Sequence, residues 1–299
     1  MPEVNIPANL ILKIADLNLR ISNCSPNYVK FLPHLEEFFS HSKDQLIDLD
    51  IRIEFAKRND LPSFSIASQI FTTKSTWSLY QCSDNHLLWL DVPCLSEPPD
   101  RLVFINSDFT EVKIYIVFDL ESKACSLDPL SYPLDQILMI HLLGRGGGLL
   151  VHACAISYEQ SGFLFLGSSG SGKTTLVDLF ANNSEALILN DDRIIIRQIN
   201  QQLQIYGTPW HGTGCFANNY TAPLKAIYFL KQSSQNEIVA MDSLAAVSRL
   251  FVTCFSALWD KRATEFTLDF CKDICSKIPC YELGFLPDQS VVEYFKESL

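Results

Sequence analysis

A mixed α/β (α+β) fold, with a strand-rich N-terminal half and a phosphate-binding C-terminal half, is predicted by three features. Short β-branched and aromatic runs separated by turn signals fill residues 1–130. From residue 131 onward, apolar runs suited to buried strands alternate with stretches of helical spacing. A glycine-rich loop falls between one such strand and one such helix at 167–174. Two domains are therefore expected, 1–130 and 131–299.

Composition narrows the class. The chain is 47% hydrophobic and 19% charged, apolar enough to bury a sizeable core. The net charge of −11 lacks the basic footprint of a nucleic-acid binder, so no nucleic-acid partner is expected. The longest apolar runs, 137–143 and 102–120, are short or broken by His141, Asp108, Glu111 and Lys113, so no membrane span is expected. The first residues show no basic region followed by an apolar block, and a cytoplasmic location is expected. Ten cysteines include no C-x-x-C pair. The close set Cys271, Cys275 and Cys280 would need a fourth metal ligand, and no His lies nearby in sequence. Buried free thiols in a reducing compartment account for them.

In the N-terminal half, strands are expected at 10–14, 47–55, 63–71, 77–81, 87–90, 102–105 and 112–118, with one helix at 33–39. No acid, base or nucleophile cluster stands out there. Beyond it, 134–143 has helical spacing and stops at the glycines of Gly144-Arg145-Gly146-Gly147-Gly148. Strands are expected at 149–158 and 163–166, a helix at 174–180, a strand at 186–189, and a hairpin over 194–205. A buried strand over 222–230 and helices over 243–259 and 263–278 complete the pattern.

The loop Gly167-Ser168-Ser169-Gly170-Ser171-Gly172-Lys173-Thr174, followed by Thr175, matches the Walker A pattern G-x-x-x-x-G-K-[ST]. Its fixed positions co-occur by chance in roughly 1% of chains this long, and seldom between a strand and a helix. Glycines let main-chain N–H groups converge, and the helix N-terminus adds partial positive charge. Lys173, expected to be exposed, would reach the β and γ phosphates, and the Thr174 hydroxyl would ligate Mg²⁺. A hydrolase G-x-S-x-G elbow does not fit, because Ser171 stands where the last glycine is required.

Downstream, the strand at 186–189 ends in Asn190-Asp191-Asp192. A right-handed crossover would put its carboxyl end on the edge that carries the loop, where ligands of open α/β sheets bind. Paired carboxylates suit a base for an attacking hydroxyl and a Mg²⁺ ligand. His152, in an apolar strand before the loop, is either a core histidine or a third site residue. The segment 207–214, with Trp210, His211 and Gly212, is either a substrate-positioning loop or an ordinary connection.

The run from His152 through GSSGSGKTT to NDDR resembles the C-terminal catalytic domain of bacterial HPr kinase/phosphorylase, itself related to ATP-dependent phosphoenolpyruvate carboxykinase. The stretches YPLDQILMIHLLGRGGGLLVHACA and GTPWHGTG…APLKAIYFL look closer to a divergent branch found with peptide natural-product systems. By that resemblance Asp191 would activate a serine hydroxyl, Asp192 would assist metal binding and His152 would support the phosphate site. It implies ATP and Mg²⁺ as cofactors and transfer to a Ser or Thr hydroxyl of a peptide or protein. A small-metabolite kinase and a nucleotide-sensing module without transfer activity remain open at this point, as does the oligomeric state.

Overall fold

The computed structural model describes residues 9–22, 29, 31, 33–40, 42, 45–74, 76–83, 85–90, 101–117, 128–183 and 185–299. Expected turn signals at 43–44, 84 and 97–100, and the strand end at 118, lie outside these residues. The chain divides into two compact units, Met1–Met139 and Ile140–Leu299. The division falls inside helix α1, Leu134–Leu142, rather than ahead of it as expected.

The first unit is built on one nine-stranded sheet. Its strands are β1 Asn9–Ile14, β2 Leu17–Ser22, β3 Phe39–Ser40, β4 Leu49–Ala56, β5 Ser68–Thr72, β6 Trp77–Cys82, β7 Asn85–Leu90, β8 Arg101–Asn106 and β9 Glu111–Val117. They lie in the order β3-β1-β2-β4-β9-β8-β7-β6-β5. Pairing is antiparallel except at β2–β4 and β4–β9. Period-two alternation drives the burial: Leu17, Leu19 and Ile21 are buried while Arg20 between them is exposed. The expected helix at 33–39 is a 3-10 turn, Pro33–Phe38. The expected strand over 63–71 is confined to β5 and its preceding residues 62–67 are irregular. Strand β2 was not foreseen. Its hairpin with β1 turns on Ala15 and Asp16, both at positive φ, without the glycine that usually marks such a turn.

The second unit has ten-residue strand β10, Leu149–Tyr158, as its hub. Strands β11 Ser161–Leu166, β12 Leu187–Asn190, β13 Arg193–Ile199, β14 Gln202–Gly207, β15 Thr221–Gln232, β16 Glu237–Ala240, β17 Cys254–Phe255 and β18 Cys280–Phe285 surround it. The first half of β10 pairs with β13 and β17, and the second half with β11 and β12. The strands β11, β15 and β18 run parallel. Both β11 and β12 are antiparallel to β10, so they run parallel to each other with β10 between them. The connection from β11 to β12 therefore steps over one interposed strand, β10.

Helices cover both faces of this sheet. On one face α2, Lys173–Asn183, and α5, Ser290–Glu297, bury Leu176, Val177, Phe180, Val291, Val292 and Phe295 against Cys154, Ile156, Phe163 and Phe165. On the other, α3, Ser243–Thr253, and α4, Lys261–Lys277, bury Ala246, Leu250, Phe270 and Ile274 against Ala153, Ala155, Leu164 and Leu166. Both alternating sets of β10 and β11 are therefore apolar, the signature of a sheet buried on both faces. Phe295 is fully buried, with ring centroids of Phe163, Phe165, Phe180 and Tyr228 at 5.2 to 5.7 Å.

The helix expected over 243–259 stops at Thr253. Cys254 and Phe255 instead pair with Val151 and Leu150 of β10, and the next helix starts at Lys261 behind its cap Asp260. The β-branched and aromatic run Phe251-Val252-Thr253-Cys254-Phe255 favours the extended state once a strand edge is offered. The carboxylates of Asp242 and Asp260 accept N–H groups of the first turns of α3 and α4.

Candidate functional site

The glycine-rich loop leaves β11 at Leu166 and enters α2 at Lys173. Gly170 and Gly172 have φ of +80° and +97°, a region other residues enter at a cost. At Gly172 there is no room either: a Cβ would lie 2.7 Å from Phe285 Cζ, the last residue of β18. Gln232, the last residue of β15, donates from Nε2 to Gly170 O at 3.1 Å. The carboxyl ends of β11, β15 and β18 thus converge on the loop, the edge where open α/β sheets bind ligands.

Lys173 is buried, with 7% of its surface exposed, which corrects the expectation of an exposed residue. Its Nζ donates to Gly167 O at 2.9 Å and Ser168 O at 3.2 Å. Burial lowers its pKa from the ordinary lysine value, with the Arg193 charge acting in the same sense and Cys154 and Asp192 opposing. Ser168, Ser169, Gly170 and Thr175 are exposed, and Thr174 is half-buried. Ser171 Oγ is buried without a hydrogen-bond partner among the described residues.

Strand β12 ends in the acidic pair. Ala153 of β10 pairs with Leu166, the residue before the loop, and its N–H donates to Asp192 O at 3.1 Å. One residue therefore stands between loop and acids, about two interstrand spacings, roughly 10 Å, across. Asn190 is fully buried and shapes the turn: its Oδ1 accepts the N–H groups of Asp192 and Arg193, each at 2.7 Å. Its Nδ2 donates to Thr208 O at 2.9 Å, and Thr208 Oγ1 donates to Arg193 O at 2.8 Å.

The two acids differ sharply. Asp191 is 1% exposed, and its carboxylate accepts the Gly212 N–H at 2.8 Å and the Gly214 N–H at 2.7 Å. Each of its oxygens thus accepts one main-chain N–H. Asp192 is more open: His152 Nε2 lies 3.0 Å from Oδ1, and Arg193 Nη1 contacts Oδ2. Burial would lift the Asp192 pKa, but the His152 hydrogen bond and the charges of Arg193 and Lys173 outweigh it and hold the carboxyl below its ordinary value. Arg193 in turn lies over the Phe255 ring, 4.3 Å from its centroid, and the His152 ring is 6.4 Å from the same centroid.

Of the segment 207–214, Trp210 is buried at 7% exposure and is not a surface contact. The Gly212 N–H is held by Asp191, and His211 Nδ1 lies 2.9 Å from Gly212 O. Through Gly212 and Gly214 this loop is tied to Asp191. Asn190, Arg193, Thr208, Gly214 and Phe255 join the site without having been singled out from sequence.

The residues fit a Mg²⁺-bound triphosphate. Left-handed glycines, an ammonium drawn into the loop and a buried unpaired hydroxyl suit an anion. Among the described residues no three His, Cys, Asp or Glu side chains gather as a metal cage. Mg²⁺ ordinarily takes one or two protein oxygens beside phosphate and water, and Thr174 and Asp192 are the groups on offer. No helix among the described residues is long and apolar enough to cross a membrane.

Comparison with known proteins gives a family. No curated protein sequence matches the chain. A solved structure, the Hpr(Ser) kinase/phosphatase from Coxiella burnetii, is similar at 14% identity, covering 50% of this chain and 97% of that one, with a TM-score of 0.30. The family described as SynChlorMet cassette protein ScmC matches residues 134–286, which contain the loop, the acidic pair, His152 and the 207–214 segment. Since that match spans more than half of the sequence, the chain belongs to the SynChlorMet cassette protein ScmC family.

Proposed function

We propose that this chain is an ATP- and Mg²⁺-dependent phosphotransferase acting on a Ser or Thr hydroxyl of a peptide or protein. The observation that carries the proposal is the placement of the loop and Asp192 on either side of Ala153, within each other's field. Residues 167–175 bind the triphosphate, with Lys173 as the charge. Thr174 and Asp192 are the protein ligands for Mg²⁺. Bound Mg-ATP would supply the transferable phosphoryl group and neutralise its charge.

The chain's own residues supply positioning and a proton acceptor. In a loose phosphoryl transition state the catalytic work is mostly placement and electrostatics. The proton of the acceptor hydroxyl goes to the acidic pair, beside which His152 Nε2 lies 3.0 Å from Asp192 Oδ1. Arg193, laid on Phe255, keeps Asp192 oriented. A family described by membership of a cassette suits a dedicated acceptor encoded alongside it.

One observation favours a second reading, a nucleotide-sensing module without transfer. The expected base Asp191 is wholly engaged. Incubation with γ-labelled ATP and candidate peptides, with free serine as competitor, separates the readings. Transfer to peptide that is lost in Asp192→Asn supports the kinase, and suppression by serine points to a metabolite acceptor. Transfer by Asp192→Asn at the wild-type rate sinks the assigned site, and ATP binding without transfer or hydrolysis selects the sensor.

A further inference from the structure

Four cysteines distant in sequence meet in the second unit. Cys254 lies in β17, Cys271 and Cys275 on α4, and Cys280 at the start of β18. The fourth thiol that sequence spacing lacked is Cys254, but these groups do not form a metal cage. Cys254 Sγ and Cys271 Sγ are 3.7 Å apart, while Cys280 Sγ donates to Ile278 O at 3.5 Å. All four are free thiols.

We propose that Cys254 and Cys271 form a reversible disulfide, a modification site whose closure acts on the phosphotransfer residues through Phe255. A disulfide bond is about 2.05 Å long, so the sulfurs must close by roughly 1.7 Å, within reach of a side-chain rotation and a small shift. Cys254 is the more exposed of the two thiols, half-buried where Cys271 is fully buried. That is the arrangement of an attacked and a resolving thiol. Cys254 sits on the two-residue strand β17, which pairs with Val151 and Leu150 of β10. Its neighbour Phe255 carries the Arg193 guanidinium, and Arg193 holds Asp192. Drawing Cys254 toward α4 therefore displaces the platform under Arg193.

The co-reactant is a low-molecular-weight disulfide such as oxidised glutathione. The Cys254 thiolate attacks one of its sulfurs, forming a mixed disulfide and releasing one small thiolate. The Cys271 thiolate then attacks Cys254 Sγ and releases the second. Two electrons pass from the protein thiols to the small disulfide, and their two protons end on the released thiols. The hydrogen bond with Cys271, together with burial, holds the Cys254 thiol well above its ordinary pKa, so the exchange is slow.

The test uses the full chain, treated with oxidised glutathione, alkylated and mapped by mass spectrometry. The expected product is a Cys254–Cys271 cross-linked peptide that dithiothreitol reverses. Cys275→Ser retains it. Cys271→Ser and Cys271→Ala stop at a glutathione adduct on Cys254. The Arg193 Nε–H resonance is expected to shift on oxidation of wild type and not of Cys271→Ser. A Cys275–Cys280 cross-link instead, an adduct that never resolves in wild type, or zinc co-purifying with the thiols overturns the proposal. An unmoved Arg193 resonance in the cross-linked protein overturns the coupling to the site. None of these readouts depends on ATP turnover.

Discussion

Asp191 Oδ1 accepts the Gly212 N–H at 2.8 Å, across 21 residues of sequence, and this bond ties the acidic turn to the loop after β14. The same residue's Oδ2 takes the Gly214 N–H, so one buried side chain holds a loop in place while its neighbour Asp192 faces His152. Adjacent, chemically identical residues thus have separable roles, one structural and one proposed to be functional.

That separation gives the first prediction. Asp191→Ala leaves two N–H groups unpaired in a buried site and should cost about 2–4 kcal/mol, seen as a fall of several degrees in Tm. Asp192→Asn should stay within about 1 kcal/mol of wild type, because its partners remain partly solvated, while phosphoryl transfer is lost. Calorimetry beside a transfer assay checks both. Equal melting for the two variants would contradict the assignment.

The second concerns Lys173. Lys173→Met keeps most of the stem and removes a buried charge whose pKa burial has lowered, so the ligand-free Tm should hold or rise. Nucleotide affinity should fall roughly 10- to 100-fold, the range of a charged hydrogen bond. The Mg-ATP-induced rise in Tm, present in wild type by mass action, should shrink accordingly. Isothermal titration and thermal scans read these effects.

A third prediction tests the floor of the loop. Gly172→Ala combines a left-handed φ with a Cβ 2.7 Å from Phe285 Cζ, and should cost about 2–4 kcal/mol along with nucleotide binding. Adding Phe285→Leu relieves the steric part and leaves the backbone part. The double variant should therefore be less destabilised than the sum of the single changes, which a double-mutant cycle measures.

The fourth is a pH dependence. The Asp192 carboxyl is held below its ordinary value of 3.8 in the folded chain, so it releases its proton more readily when folded. Its contribution to stability is therefore complete above about pH 4 and is lost as pH falls through the lower folded value. The stability difference between wild type and Asp192→Asn should be flat above about pH 4 and narrow below it. Acid-unfolding curves for the pair provide the measurement.

The elements most legible in sequence were those whose chemistry is local. Strand β10 was readable end to end because its apolar run is unbroken between glycines and a turn. The loop at 167–174 was readable because left-handed turns next to a helix require glycine. Strand β18 and helix α5 were missed, because Cys280–Phe285 draws its strand character from pairing with β15 rather than from its own composition. The β1–β2 hairpin escaped notice because Ala15 and Asp16 occupy positions where glycine or asparagine is the usual sign. At the site, Asp191 and Asp192 are neighbours in sequence, but which one accepts the loop amides depends on Gly212 and Gly214, whose placement no local pattern encodes.

Strand β10 meets the loop strand on one side across the tight turn at 159–160, and the acidic strand on the other, 30 to 35 residues further along. A growing polypeptide that has reached residue 175 holds an anion cradle with no carboxylate across from it. Only after β12 docks on the opposite edge does the pocket acquire both poles, and β17 must close later still before Arg193 has its aromatic seat. The constellation is therefore complete only after segments from 161 to 255 have docked in turn along β10.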